Sequence, residues 1–335
     1  MAALGFRKKG HPRRYEPPKE TTFFRLLSQL DSRALEEALL AWQDQVLGPR
    51  DPEDNLLAFD GKKLRASQGV EITSLYAVKS GRWLGSELTE SKSNEIPAAR
   101  ALLRRTDLEG CLVVADALPT NAETAQVIVQ EKGGDYLLPV KGNQPVLEAT
   151  LGVLRDNLQN ASPPLGRWAA VAQRVALNKG RVEARALERF EVSAEGACFP
   201  FVAQAARLTR FIDRKDKTTD EIEQEFLVCS RTATELPLEA MLQADRDYWG
   251  IESGLNHRLD VSADEDKSRV RTRASAFNLG LFRRAATSLG IVWIKRQPDP
   301  RKATLPGFYD DMSLKNSRKA LSLVTASKPS WLPHS

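Results

Sequence analysis

The chain has 335 residues, of which 41% are apolar and 28% charged, a composition that excludes wholesale disorder and fits one large cored domain with an insertion, or two domains. Its formal charge of +5 suits a polyanionic partner, because lysines and arginines that neutralise phosphates release condensed counterions. The three cysteines (Cys111, Cys198, Cys229) and three histidines (His11, His257, His334) are too scattered for a disulfide framework or a zinc site. Buried free thiols are therefore expected, and any metal must rest on carboxylates. No apolar run spans a bilayer, and the basic N-terminus lacks the hydrophobic stretch of a secretory signal. A reducing cytoplasm and no membrane partner are the expectation.

Residues 1–20 are rich in Lys, Arg, Pro and Gly and read as a basic arm. From Thr22 to Leu47 the apolar spacing turns helical, with Asp31 and Ser32 placed to cap a second helix. This arm and helical entry segment occupy residues 1–50. Residues 51–145 change period. NLLAFD, Asn55 to Asp60, is a short apolar strand ending in a carboxylate. Glu71 to Lys79 and Arg82 to Thr89 are two more strands around a Ser80-Gly81 turn. A helix follows from Asn94 to Thr106, then CLVVADAL, a buried strand that ends in Asp116. A helix from Asn121 to Glu131, closed by Gly133-Gly134, leads into the strand DYLLPVKGN. The order β-β-β-α-β-α-β predicts a mixed five-stranded sheet with helices on its faces.

Residues 146–235 read as a β-rich insertion. A helix from Gln144 to Leu158 and a Pro163-Pro164 turn precede strand-like stretches at Trp168–Val175, Arg181–Val192, Phe199–Thr209 and Glu225–Ser230, with a charged turn at Asp213–Asp220. Helices return over Leu238–Leu259 and Asp266–Leu289, giving a C-terminal helical part at 236–295. The tail, 296–335, carries Pro and Gly breakers, and its end is expected to fray.

Two aspartates at the ends of neighbouring strands, with a third carboxylate on a helix, can clamp divalent cations for phosphoryl transfer. Oxygen ligands suit Mg²⁺ or Mn²⁺. Asp60 and Asp116 supply the first two. Glu252, Asp260, Asp264, Glu265 and Asp266 are candidates for the third. Glu252 stands among Trp249, Ile251, Leu255 and Leu259, an apolar setting that asks for a metal or for an ion pair with Arg246 or Arg258.

The blocks LLAFDGKKLRAS, ESKSNEIPAARALL, VVADAL, DYLLPVKGNQ and YWGIESGLNHRLDVSADEDKSRVR, in this order over Thr22 to Leu289, resemble DDE transposases of bacterial insertion sequences, and the H-repeat-associated group in particular. The resemblance implies an RNase H-like fold with a β-rich insertion before the last catalytic helix. It implies a metal triad of Asp60, Asp116 and Glu252 holding two Mg²⁺ or Mn²⁺ ions, Asp60 bridging both. Its partners would be DNA, as element ends and target, and a second copy of the chain in a dimer on paired ends, in a bacterial cytoplasm at the nucleoid. The chain departs from the family pattern at Tyr248, Ser253 and Asn256-His257. It has Lys179-Gly180-Arg181-Val182-Glu183 where relatives carry H-G-R-I-E, and Arg258 is the candidate for the basic residue that follows the catalytic Glu. It also carries little of the family's N-terminal helical region. A decayed or co-opted transposase that binds DNA without catalysis is therefore one competing reading, and a metal-dependent nuclease that cuts without joining is another.

Phosphate contacts are expected from Lys62, Lys63 and Arg65 after the first Asp, from Lys141, Asn143 and Gln144 on the fifth strand's end, from Arg246 and Arg258 around Glu252, and from Lys267, Arg269, Arg271 and Arg273 at the last long helix. Trp168 and Trp249 are candidates for base stacking, with core packing the expected role of Trp249.

Overall fold

A computed structural model describes residues 18–67, 69–89, 95–117, 119–160, 171–178, 181–213 and 221–326. The basic arm up to residue 17, Pro163-Pro164, Trp168, Lys179-Gly180 and the charged connection 214–220 lie outside the described residues. The chain divides into two units, Met1–Asp54 with Gly61–Glu90 and Glu252–Ser335, and Asn55–Asp60 with Ser91–Ile251.

In the second unit the strands begin with the first residues of β1 (Leu56–Leu64), then β4 (Leu112–Ala115) and β5 (Asp135–Val140). Leu56–Phe59 pair in parallel with Leu112–Ala115, and β4 pairs in parallel with β5. All four residues of β4 are buried, as the continuous run LVVA dictates for a parallel strand covered on both sides. Helix α3 (Glu95–Arg105) turns Ala98, Ala99, Leu102 and Leu103 inward. Helix α4 (Ala122–Gln126) is capped by Asn121, whose side chain accepts from Thr124 N, and widens into a π turn over Val127–Glu131. Gly133 ends it at φ +65°, a conformation that favours glycine.

After α5 (Pro145–Asn160) come β6 (Val171–Asn178), β7 (Arg181–Phe190), the short α6 (Ala194–Ala197), β8 (Gln204–Asp213) and β9 (Glu221–Cys229). These strands extend the sheet. β9 runs antiparallel to β5, from Leu137↔Cys229 to Val140↔Phe226, and β8, β7 and β6 follow in antiparallel order. The five strands expected are therefore nine, in the order β3-β2-β1-β4-β5-β9-β8-β7-β6. Alternation in a sequence identifies a strand but not its neighbour, which is why the insertion's strands could not be assigned to the main sheet beforehand. Helix α7 (Leu238–Gly250) packs on β4, β5, β6 and β7.

In the first unit α1 (Glu20–Gln29) and α2 (Ser32–Leu47) meet at Asp31, whose side chain accepts from Ala34 N at 2.8 Å. The hairpin of β2 (Val70–Ala77) and β3 (Arg82–Thr89) packs Ile72 and Trp83 against Leu39 of α2 and against Phe277, Leu281 and Ala285 of α9 (Arg273–Lys295). Each such apolar side chain contributes about 1.5–3 kcal/mol on burial. Asn278 of α9 donates to Leu27 O and Leu30 O, fixing the α1–α2 corner. A π turn (Ile251–Asn256) continues into α8 (His257–Val261), followed by a 3-10 turn, Glu265–Lys267.

The tail forms α10 (Leu305–Thr325), and its end past residue 326, expected to fray, lies outside the described residues. Pro306 lies in its first turn, where a missing N–H costs nothing, and Thr304 caps it by accepting from Gly307 N at 3.1 Å. Leu305, Phe308, Met312 and Leu323 are buried along it. The proline and glycine signal a helix start, not a break. Of the thiols, Cys111 and Cys229 are buried as expected, but Cys198 is exposed.

Candidate active site

Asp60 is not at a strand end. β1 runs on through Asp60-Gly61 to Leu64. Its pairing with β4, however, stops at Phe59↔Ala115. Asp60 and Asp116 each directly follow the last residue of that pairing. The Asp-Gly pair, which elsewhere signals a hairpin, here lies inside a continuous strand.

Asp116 is well exposed and lies within reach of Lys141, just past the end of β5: Lys141 Nζ is 3.3 Å from Asp116 Oδ1 and 3.3 Å from Glu225 Oε2. Burial pulls the Lys141 pKa down, but Glu225 and Asp116, each by charge and hydrogen bond, outweigh it and leave the ammonium above its ordinary value. Asn143 donates to Ala117 O at 2.7 Å and so ties the turn after β5 to the residue that follows Asp116. Gln144 closes that turn through its backbone N–H to Lys141 O.

Behind Lys141 stands a charged network that the sequence pattern did not reveal. Arg174, Arg185 and Arg210 lie directly opposite one another across β6, β7 and β8. Like charges in such register repel. Helix α7 answers them. Asp245 places one oxygen 3.4 Å from Arg185 and the other 3.3 Å from Arg210, Gln243 accepts from Arg174, and Glu225 pairs with Arg210. Burial lifts the Asp245 carboxyl above the usual carboxylate range against the pull of Arg210 and Arg185, with Glu225 adding to the lift. Asp116, Lys141, Glu225 and Asp245 line one cleft with Tyr248 and Trp249. Trp249 is half exposed, with its ring edge-on to Tyr248, and so is not the core residue expected. The signal available beforehand was the i, i+2 spacing of Glu221, Glu223 and Glu225, which marks one strand face but not its partners.

In the first unit, Glu252 is the second residue of the π turn and is exposed, not enclosed by apolar neighbours. Ile251, Leu255 and Leu259 form the buried side of this run. Asn256 donates to Glu252 Oε2 at 3.2 Å. Arg258 does not pair with Glu252; it donates to the carbonyls of Ser253 and Gly254. Gly254 is there because Tyr76 closes on it, and a Cβ would lie 2.8 Å from the Tyr76 hydroxyl. The other candidates for the third acid are engaged. Glu265 is wholly buried against Arg284, Asp260 and Asp266 face Lys62, and Asp264 pairs with Lys267.

Lys62 is buried by strand alternation and meets carboxylates, whereas Lys63 and Arg65 are exposed. Arg246, Lys267, Arg269, Arg271 and Arg273 are exposed as expected of phosphate contacts, and Arg273 also donates to Thr89 O.

Asp60 and Asp116 offer the hard oxygen donors that Mg²⁺ or Mn²⁺ takes, and the ammonium of Lys141 at Asp116 marks a place that attracts positive charge. This donor chemistry fits such an ion. Among the described residues, no group of three or more His, Cys, Asp or Glu converges to hold a metal. No helix among them is long and apolar enough to cross a membrane.

A large mixed sheet flanked by helices is consistent with the RNase H-like class of DNA-processing proteins. Residues 48–289 match the family model described as Transposase DDE domain, and the chain belongs to that family. It is 28% identical over 287 residues to "Putative transposase YncI" of Escherichia coli O157:H7, covering 81% of this chain and 70% of that one. It is 27% identical over 267 residues to "H repeat-associated putative transposase YhhI" of Escherichia coli strain K12, covering 76% and 68%. "H repeat-associated putative transposase YbfD" of the same strain is 31% identical over 134 residues, covering 38% and 52%.

Proposed function

We propose that the protein is a metal-dependent DDE transposase that cleaves DNA at the ends of an insertion sequence and joins the freed 3′-hydroxyl to target DNA. What supports this reading is the parallel pairing of β1 with β4, whose last pair, Phe59 and Ala115, is followed directly by Asp60 and Asp116. Asp60, Asp116 and Glu252 would hold two Mg²⁺ or Mn²⁺ ions. When bound, such ions activate the attacking oxygen and stabilise the leaving one in phosphoryl transfer. Asp60 and Asp116 present carboxylate oxygens on a rigid parallel pair, and Glu252 presents one from a helical run. Lys141 balances the charge of Asp116 and, with Asn143, holds the loop beside it. Lys63, Arg65, Arg246, Lys267, Arg269, Arg271 and Arg273 are exposed cations suited to phosphates, which orient DNA without reading its sequence. The chain would act as a dimer on paired ends, at the bacterial nucleoid.

The test that separates joining from cutting offers an oligonucleotide with a free 3′-hydroxyl and a supercoiled plasmid in Mg²⁺. Covalent joining of the oligonucleotide to the plasmid is expected. Plasmid nicking without joining would reassign the protein to the nucleases.

A further inference from the structure

We propose that Lys62 is a positioning residue, not a DNA contact: its ammonium pins the helical run that carries Glu252 to strand β1, which carries Asp60. After Gly61 the strand alternates, with Lys62 and Leu64 inward and Lys63 outward. The Lys62 side chain is only 9% exposed. Its Nζ lies 2.6 Å from Asp260 Oδ1 and 3.7 Å from Asp266 Oδ1. Asp260 sits on α8, which continues the π turn of Glu252 without a break. Asp266 sits on the following 3-10 turn. That turn is fixed from its other side by Glu265, fully buried against Arg284.

An ammonium nine-tenths buried and facing two carboxylates has no open side for a phosphate. Arg65, whose Nε is 3.6 Å from Asp266 Oδ2, is exposed and adds positive charge at the rim. An exposed lysine with two aspartates would contribute little. This one is buried, and its loss leaves Asp260 without its cation and Asp266 with only the exposed Arg65. Glu252 is itself exposed, so packing of its own side chain does not set its direction. The seating of the helical run does, and Lys62 reaches that run from a position two residues after Asp60 on the same strand.

This inference rests on the transposase reading only in that it gives the seated Glu252 a catalytic task. Three variants test it: Lys62→Met, Asp260→Asn and the double. The readouts are Mn²⁺-dependent plasmid nicking, plasmid affinity, and amide exchange over residues 251–261 in the free protein. Misplacing a reacting group by about 1 Å costs on the order of 10²-fold. Lys62→Met is therefore expected to slow nicking about a hundredfold at saturating DNA, with plasmid affinity unchanged. Asp260→Asn is expected to do the same, with the double variant no slower than either single, and exchange over 251–261 accelerates in each. Loss of plasmid affinity in Lys62→Met with an unchanged saturated rate would make Lys62 a phosphate contact and overturn the proposal. Should wild-type protein not nick, the transposase reading fails and exchange alone decides: faster exchange supports the tether, and unchanged exchange removes it. Should Lys62→Met not fold, Asp260→Asn probes the same pair from its more exposed end.

Discussion

Arg284→Met isolates the most deeply buried charge of the first unit. Arg284 and Glu265 are both fully inaccessible, with Nη1 2.7 Å from Oε1. Arg284 also donates from Nε to Ser74 Oγ at 2.8 Å and from Nη1 to Gly280 O at 3.2 Å. A Cβ on Gly280 would come within 2.9 Å of Ile72 Cδ1 and 3.0 Å of Arg284 Nη1, so the glycine makes room for the guanidinium. Removing Arg284 does not orphan Ser74, which keeps Ser86 Oγ at 3.0 Å. The cost therefore falls on Glu265, which loses its buried ion-pair partner. Breaking such a pair from one side costs about 3–5 kcal/mol. Replacing both partners with apolar groups of similar volume removes both charges, so Glu265→Met/Arg284→Met is expected within about 1 kcal/mol of wild type. Urea unfolding followed by amide exchange in α9 measures both, and exchange in α9 assigns the loss to the first unit. A loss under about 1 kcal/mol in Arg284→Met, or a double variant as unstable as the single, would refute charge compensation as the role of this pair.

Asp245→Asn should destabilise the second unit by about 3 kcal/mol in urea, because Arg185 and Arg210 then face each other across β7 and β8 without their shared carboxylate; an unchanged midpoint would mean that the row is neutralised elsewhere. Burial pushes the Cys229 thiol from 9.0 up to about 12, so the unfolded chain ionises it first, and its contribution to stability is complete below pH 9 and lost as pH rises toward 12. The slope is about 1.4 kcal/mol per pH unit, and Cys229→Ala is expected to flatten the urea-derived profile by that share in this window. A thiol reagent at pH 8 should modify Cys198 in the native protein and leave Cys111 and Cys229 until unfolding, as mass spectrometry of the adducts will read. Arg269→Ala should lower the salt dependence of plasmid binding by about 0.9 in log–log slope, the share of one phosphate contact, whereas Lys62→Met should leave that slope unchanged.

Much of the fold was legible because local physics settles it. Asp31 before a helical stripe, the buried run LVVA and the glycines after α4 each predict one outcome, and each occurs at the expected place. What failed needed knowledge of neighbours. Asp60 reads as the end of a strand until β1 is seen to run through it. A sheet of five strands is expected until β9 is seen to pair with β5 and extend it. Lys62 and Lys63 are alike in the sequence, and strand phase alone buries the first and exposes the second. Glu252 looked enclosed because Ile251 and Leu255 flank it, yet these belong to the opposite side of the run. Asp60 and Asp116 could be chosen from strand order. The cations that meet Asp116 and Asp260 could not, because ion pairs 25 or nearly 200 residues apart leave no local trace.

The central claim is that Asp60, Asp116 and Glu252 act together on DNA, and nicking of supercoiled plasmid in Mn²⁺ tests it most directly. Wild-type protein would be assayed beside Asp60→Asn, Asp116→Asn and Glu252→Gln, substitutions that keep shape and remove charge. Open-circular product is expected with wild type, background product with each variant, and plasmid binding with all four. Wild-type nicking by Glu252→Gln would contradict the assignment of the third acid, and a wild type that binds plasmid in Mn²⁺ without nicking it would contradict the catalytic reading itself.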